Sequence, residues 1–178
     1  MQAHPTASCS VTDIEGTMDS VLSGAASPVD FSFSVIRQDG RQYVYNRGAS
    51  TLQTSYSSAS TSKLVSAVVI MRLVDQGRLS LANKPQDLIA TWPIGGGDPL
   101  FTMTLTQLLS FTSGLTIEPG CLDDGTSEYE ACVTTIGTAN GGNGITPGQQ
   151  FFYASTHLQV AGLMAVKARP AATWQDVF

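Results

Sequence analysis

Ser60 and Lys63 stand three residues apart in Ser57-Ser58-Ala59-Ser60-Thr61-Ser62-Lys63, at the head of an apolar run covering residues 64–74. Positions three apart share one face of a helix, so the two side chains aim into the same space. Arg72 is the only charge in the run, and apolarity nearly all the way round predicts a buried helix. A lysine at the mouth of a buried helix loses hydration, which disfavours its charged form. A neutral amine beside a hydroxyl is a general base beside a nucleophile. A chain this rich in serine also produces Ser-x-x-Lys by chance. The pattern gains weight from its place at a helix start and from the company it keeps further along the chain.

The second stretch with chemical content is Thr146-Pro147-Gly148-Gln149-Gln150-Phe151-Phe152-Tyr153-Ala154-Ser155. Pro147-Gly148 makes a turn, and Thr156-x-x-Gln159 matches a capping box for the next helix. Tyr153 then stands just before a helix N-terminus, where positive potential favours a phenolate. Beside Lys63 it would shuttle the nucleophile's proton. The competing reading is a tyrosine that packs with Phe151 and Phe152. His157, one turn further on, reads as a surface or satisfied helix histidine rather than a pocket residue.

The elements that must position these groups are read from period and punctuation. Thr12-x-x-Glu15 or Ser10 caps a first helix, with Val11, Ile14, Met18, Val21 and Leu22 on one face and Gly24 at its end. Phe31, Phe33 and Val35 then alternate with serines, Tyr43 and Tyr45 alternate with polar residues, and Asp39-Gly40 supplies a two-residue hairpin turn. Thr104-x-x-Gln107 opens a short helix that stops at Gly114. Residues 115–150 read as a long, polar, Gly-rich excursion that covers or flanks a substrate pocket. Thr173 and Asp176 mark the start of one more helix. The fold class is α/β of the α+β kind: an antiparallel sheet flanked by helices, with residues 11–50 as helix and hairpin and 60–178 as a mainly helical subdomain of one domain.

Composition bounds the setting. The chain has 178 residues, 42% of them hydrophobic and only 13% charged, which suits a secreted or periplasmic enzyme. A formal charge of −5 with nine Lys plus Arg argues against nucleic acid or an anionic membrane as partner. Cys121 and Cys132 bracket a polar loop; a disulfide in an oxidising compartment is the preferred reading, two unpaired buried cysteines the other. Cys9 is left over. The two histidines, His4 and His157, have no ligand cluster around them, so no metal is expected.

Ser60-x-x-Lys63, then Leu105-Thr106-Gln107-Leu108-Leu109-Ser110-Phe111-Thr112-Ser113-Gly114-Leu115, then Pro147-Gly148 before Tyr153-Ala154-Ser155 together resemble the serine β-lactamase and penicillin-binding superfamily. The tyrosine resembles the branch of class C β-lactamases, DD-peptidases and family VIII carboxylesterases. The resemblance implies a β-lactamase/transpeptidase-like fold in which Ser60 is acylated. It also implies that Lys63 and Tyr153 are the paired base and acid, and that the Ser60 backbone N–H is half of an oxyanion hole. Acyl transfer would then need no metal or cofactor.

Two departures qualify it. Ser155 stands where the family's motif has Asn, and a hydroxyl reaches less far than an amide, which favours a short-chain ester or simple amide and makes Ser155 a substrate-binding residue. The family's third motif, on a late strand, is absent. The chain is therefore expected to be the N-terminal part of the fold, with late sheet strands missing and carried by a complementary C-terminal chain. β-Lactams or D-Ala-D-Ala peptides are the alternative substrates, and a catalytically silent binding module is the alternative class.

Overall fold

The computed structural model describes residues 10–169 and 173–178, so His4, Cys9 and Pro170 lie outside it. Contacts divide the chain into one compact unit that ends at Ser57 and a second that runs from Ser58 to Phe178.

In the first unit, α1 (Val11–Gly24) is capped by Ser10. The Ser10 hydroxyl accepts the Asp13 N–H, and the Asp13 carboxylate takes the Ser10 N–H, so Ser10 and Asp13 form the capping box rather than Thr12 and Glu15. Strands β1 (Phe31–Ile36) and β2 (Gln42–Arg47) pair antiparallel, with Phe33 opposite Tyr45 and Val35 opposite Tyr43. The expected two-residue turn is a three-residue one. Arg37 N–H donates to the Arg41 carbonyl and Gly40 N–H to the Arg37 carbonyl, with Gly40 in the left-handed region at φ 83°. Two polar ties fasten hairpin to helix: a bidentate Arg41–Glu15 pair at 2.6 and 2.8 Å, and the Tyr43 hydroxyl donating to Asp19 at 2.6 Å.

The second unit is helical. A short 3-10 turn, Ala59–Thr61, leads into α2 (Ser62–Asp75), followed by α3 (Leu105–Leu109), α4 (Tyr129–Asn140), α5 (Thr156–Ala168) and α6 (Trp174–Val177). The capping box at Thr104 forms as its spacing predicts, Gln107 accepting the Thr104 N–H at 2.9 Å. The Thr173–Asp176 box does too. The Thr156–Gln159 box does not: Ser155 is the cap, and Thr156 is already inside the helix with its hydroxyl buried.

The buried helix is α5 rather than α2. In α5, Val160–Val166 lies wholly in the core, and α2, α3, α4 and α6 all pack on it. In α2 only Ile70 and Leu73 are buried, while Leu64, Val65, Val68 and Met71 are 67, 45, 61 and 42% exposed. Apolar composition sets how much surface a helix can bury; the number of neighbouring elements sets how much it does. These four side chains give α2 an exposed apolar face.

Residues 115–150 are not one structureless loop. Helix α4 occupies 12 of them, burying Cys132, Val133, Ile136, Gly137 and Asn140 on one face. Three threonines on the helix, Thr134, Thr135 and Thr138, return their hydroxyls to the carbonyl four residues back, which absorbs polar groups that made the segment read as loop. Cys121 and Cys132 are joined by a disulfide. By loop-closure entropy a bridge spanning 11 positions stabilises the fold by about 3 kcal/mol.

Candidate active site

Ser60 sits in the 3-10 turn, one step after Ala59, which is held at φ 41°. A non-glycine residue in that region is strained, and the neighbouring bonds hold it there: Ser62 Oγ donates to the Ala59 carbonyl at 2.6 Å and Thr61 N–H to the Ser58 carbonyl at 2.8 Å. The turn delivers Ser60 to an exposed position at the mouth of α2. Lys63, on the first turn of α2, donates from Nζ to Ser60 Oγ at 3.1 Å.

Tyr153 arrives from the far end of the unit and meets the same pair. Its phenol is held below its ordinary value of 10.0, first by the hydrogen bond with Ser60 and then by the bond and positive charge of Lys63; burial and the charge of Glu118 oppose the shift. Lys63 Nζ lies 5.2 Å from the Tyr153 ring centroid. The structure thus brings Ser60, Lys63 and Tyr153 together, and Tyr153 is 53% exposed rather than packed away with its neighbours.

The loop carrying Tyr153 is supported from below by residues 111–115. Phe152 N–H donates to the Phe111 carbonyl at 2.9 Å, and Gly148, at φ 92°, donates its N–H to the Thr112 carbonyl at 2.7 Å. The Phe111 ring lies 5.3 Å from that of Tyr153 and 5.2 Å from His157. Phe111 itself is at φ 58°, a second strained residue in direct support of the site.

His157 is fully buried, not a surface residue. Its Nε2 lies 2.7 Å from the Phe152 carbonyl, which can only accept, so Nε2 carries the proton. Nδ1 then accepts from the Ser113 hydroxyl at 2.8 Å. The ring is a neutral strut under the peptide that precedes Tyr153. Ser113 thereby gains a base that its local sequence lacks, yet both groups are sealed in the core, where no substrate reaches them.

Sequence reasoning missed Glu118. Its Oε1 accepts the backbone N–H of Ser155, placing a carboxylate at the edge of the site. Sequence reasoning also missed the side chain that holds it. Asn140, with no exposed surface, accepts the N–H groups of Thr116 and Ile117 at 2.8 and 2.9 Å and donates to the carbonyls of Ile117 and Ile136 at 3.0 and 2.9 Å. Every hydrogen-bonding position of the amide is used. No local signal marks these partners, which lie 23–37 positions apart.

A cavity of about 700 Å³ opens beside Lys63 and Ser155, walled by Tyr129, Leu158 and Trp174. The Ser155 hydroxyl has no hydrogen-bond partner among the described residues and is available to a ligand. Among the described residues no cluster of three or more His, Cys, Asp or Glu has the geometry to hold a metal ion, and no helix is long and apolar enough to cross a membrane.

Comparisons with known proteins give a consistent picture. The family model described as Beta-lactamase matches residues 27–178. Penicillin-binding protein 4 of Amycolatopsis lactamdurans is 29% identical over 141 residues, covering 75% of this chain and 35% of that protein. The crystal structure of a putative beta-lactamase from Bacteroides dorei superposes with a TM-score of 0.67 at 27% identity, over 91% of this chain and 47% of that one. A D-stereospecific amidohydrolase from Streptomyces sp. shares the fold at 19% identity, with a TM-score of 0.64 over 92% of this chain and 50% of its own. The chain therefore spans between a third and a half of the length of the proteins it matches.

Proposed function

The chain belongs to the beta-lactamase family, and on that premise we propose that it supplies the nucleophile and proton-transfer groups of a secreted serine hydrolase that cleaves a short-chain ester or simple amide. Family membership supports acyl transfer from a serine. The observation that carries the reading is the single hydroxyl, Ser60, shared by Lys63 at 3.1 Å and by Tyr153. Tyr153, held toward its phenolate form, takes the Ser60 proton as Oγ bonds to the substrate carbonyl carbon. The C–O or C–N bond to the leaving group then breaks, and the proton passes from Tyr153 to the departing alcohol or amine. Water enters by the reverse path, releasing the acid and returning Ser60 to its free form. The free hydroxyl of Ser155, in place of a longer amide, supports a small acyl part. The Cys121–Cys132 disulfide supports an oxidising compartment.

The apolar face of α2 supports a partner polypeptide of the same fold that covers it. A split core of that kind would be large and apolar. A second reading, hydrolysis or capture of β-lactams or D-Ala-D-Ala peptides, is favoured by the likeness to a penicillin-binding protein.

The test is a denaturing intact-mass spectrum before and after exposure to 4-nitrophenyl acetate, with peptide mapping and a Ser60→Ala control. An acetyl adduct on the Ser60 peptide, absent from the control, supports the hydrolase. Turnover that survives Ser60→Ala sinks it. A second chain of comparable mass in the same spectrum supports the partner, and repetition with benzylpenicillin distinguishes the second reading.

A further inference from the structure

We propose that Glu118 selects substrates whose acyl part carries a positively charged amine, a reading that rests on the acyl-transfer site proposed above. Glu118 is exposed, and an exposed glutamate is ordinarily a free-swinging solubilising group. This one is fixed from three directions. Asn140 grips the backbone of Thr116 and Ile117 immediately before it. The Cys121–Cys132 disulfide ties down the chain three residues after it. The Ser155 N–H binds its Oε1. Side-chain and backbone freedom is thus already removed before any ligand arrives, which is how a binding group avoids an ordering cost on association.

Its charge is also unspent. Glu118 takes part in none of the ion pairs among the described residues, which in this unit join Lys167 to Glu130. Oε2 has no hydrogen-bond partner among the described residues, so one oxygen is anchored and the other is open. The anchor places the group beside the cavity rather than in its wall: Glu118 binds the backbone of Ser155, whose side chain lines the cavity with Lys63, and its negative charge is felt at the Tyr153 hydroxyl, two residues from that anchor. A cation is the ligand that an anchored, unpaired carboxylate recognises best, because the hydrogen bond it would form is charged at both ends. An amine on the acyl side of the scissile bond meets that requirement while leaving the carbonyl free for Ser60. Neutral acyl groups leave Oε2 solvated and gain nothing from it.

The bland alternative is that Glu118 merely holds the Ser155 peptide in place. Glu118→Gln separates the two roles, since a glutamine carbonyl still accepts the Ser155 N–H but carries no charge. The full chain, wild type and E118Q, is assayed on both enantiomers of alanine benzyl ester and on benzyl propionate, a matched pair differing by the ammonium group. Binding of alaninamide and propionamide is measured in parallel by titration, which needs no turnover. Wild type should favour the better alanine ester over propionate in kcat/KM by at least about 10-fold, and E118Q should bring that ratio close to one, a loss of about 10–100-fold for a charged hydrogen bond. Alaninamide should bind wild type and lose about the same factor in E118Q. An equal fall on both esters, or an unchanged ratio, overturns the proposal in favour of the anchoring role. If no ester acylates Ser60 in either protein, the hydrolase reading fails by itself. The alaninamide titration still decides Glu118: binding that E118Q weakens supports it, and binding that E118Q leaves alone overturns it.

Discussion

Asn140 offers the sharpest test of how the site is built, because one buried side chain closes four hydrogen bonds. Asn140→Ala removes acceptors for two N–H groups, on Thr116 and Ile117, and donors to two carbonyls, on Ile117 and Ile136. At roughly 0.5–1.5 kcal/mol net per bond the sum is about 2–6 kcal/mol. The upper part of that range requires all four groups to stay dry. Ile117 is exposed and Thr116 only half-buried, so their N–H groups can regain water, whereas the Ile136 carbonyl lies inside α4. The expected loss is then about 2–4 kcal/mol, a large share of a stability that is typically about 5–15 kcal/mol. Urea unfolding of the full chain reads the loss, and amide exchange of Thr116 and Ile117 reads its location. Both amides should lose protection far beyond the global change. Asn140→Asp sharpens the logic by turning the donor end into a second oxygen that faces two carbonyls. A buried carboxyl there has a raised folded-state pKa, so the folded state holds its proton longer than the unfolded one and stability falls as pH rises through the carboxylate range. A loss below about 0.5 kcal/mol for Asn140→Ala, with exchange at Thr116 and Ile117 unchanged, would refute the claim that this amide holds the Glu118 segment.

The same geometry gives two further outcomes. Lys63→Met removes the amine 3.1 Å from Ser60 and part of what lowers the Tyr153 phenol, so acylation should fall by about 100-fold or more. The rising limb of its pH–rate profile should move up toward the ordinary tyrosine value; a midpoint that stays put or moves down would contradict the assignment. His157 is held below its ordinary value of 6.5, chiefly by burial, with the bond to the Phe152 carbonyl and the charge of Glu118 opposing. The unfolded chain therefore binds a proton more readily than the folded one, and stability should fall as pH drops below about 6.5. Denaturant midpoints at pH 7.5 and 5.5 should show that fall in wild type and a smaller one in His157→Gln, and equal slopes would refute it.

Much of the candidate site's geometry was legible in the chain because it is local. A spacing of three positions, from the 3-10 turn into the first turn of α2, puts Lys63 beside Ser60, and that needs no tertiary information. The capping boxes at Thr104 and Thr173 form for the same reason: cap and partner are three positions apart, and the first turn of a helix brings them together. The hairpin strands announced themselves by alternation, although Gly40 closes a three-residue rather than a two-residue turn. The sequence resemblance supplied the family and fold before any coordinate did, and the comparisons bear both out.

The features that only the folded chain decided depend on partners far apart in sequence. Apolar composition alone could not say that α5, with four helices around it, would be the buried one while α2 kept a bare face. A count of neighbours is not written in either helix. The threonines of α4 disguised a helix as a loop, because their hydroxyls are satisfied by carbonyls that exist only once the helix forms. Ser113 meets His157 across 44 positions, Asn140 meets Thr116 across 24, and Glu118 meets Ser155 across 37. Each of these is a polar group whose desolvation is tolerable only because one specific partner arrives, and no periodicity records which partner that will be. The Ser60–Lys63 pairing is thus a property of local spacing, whereas the carboxylate bound to the Ser155 backbone is a property of tertiary packing.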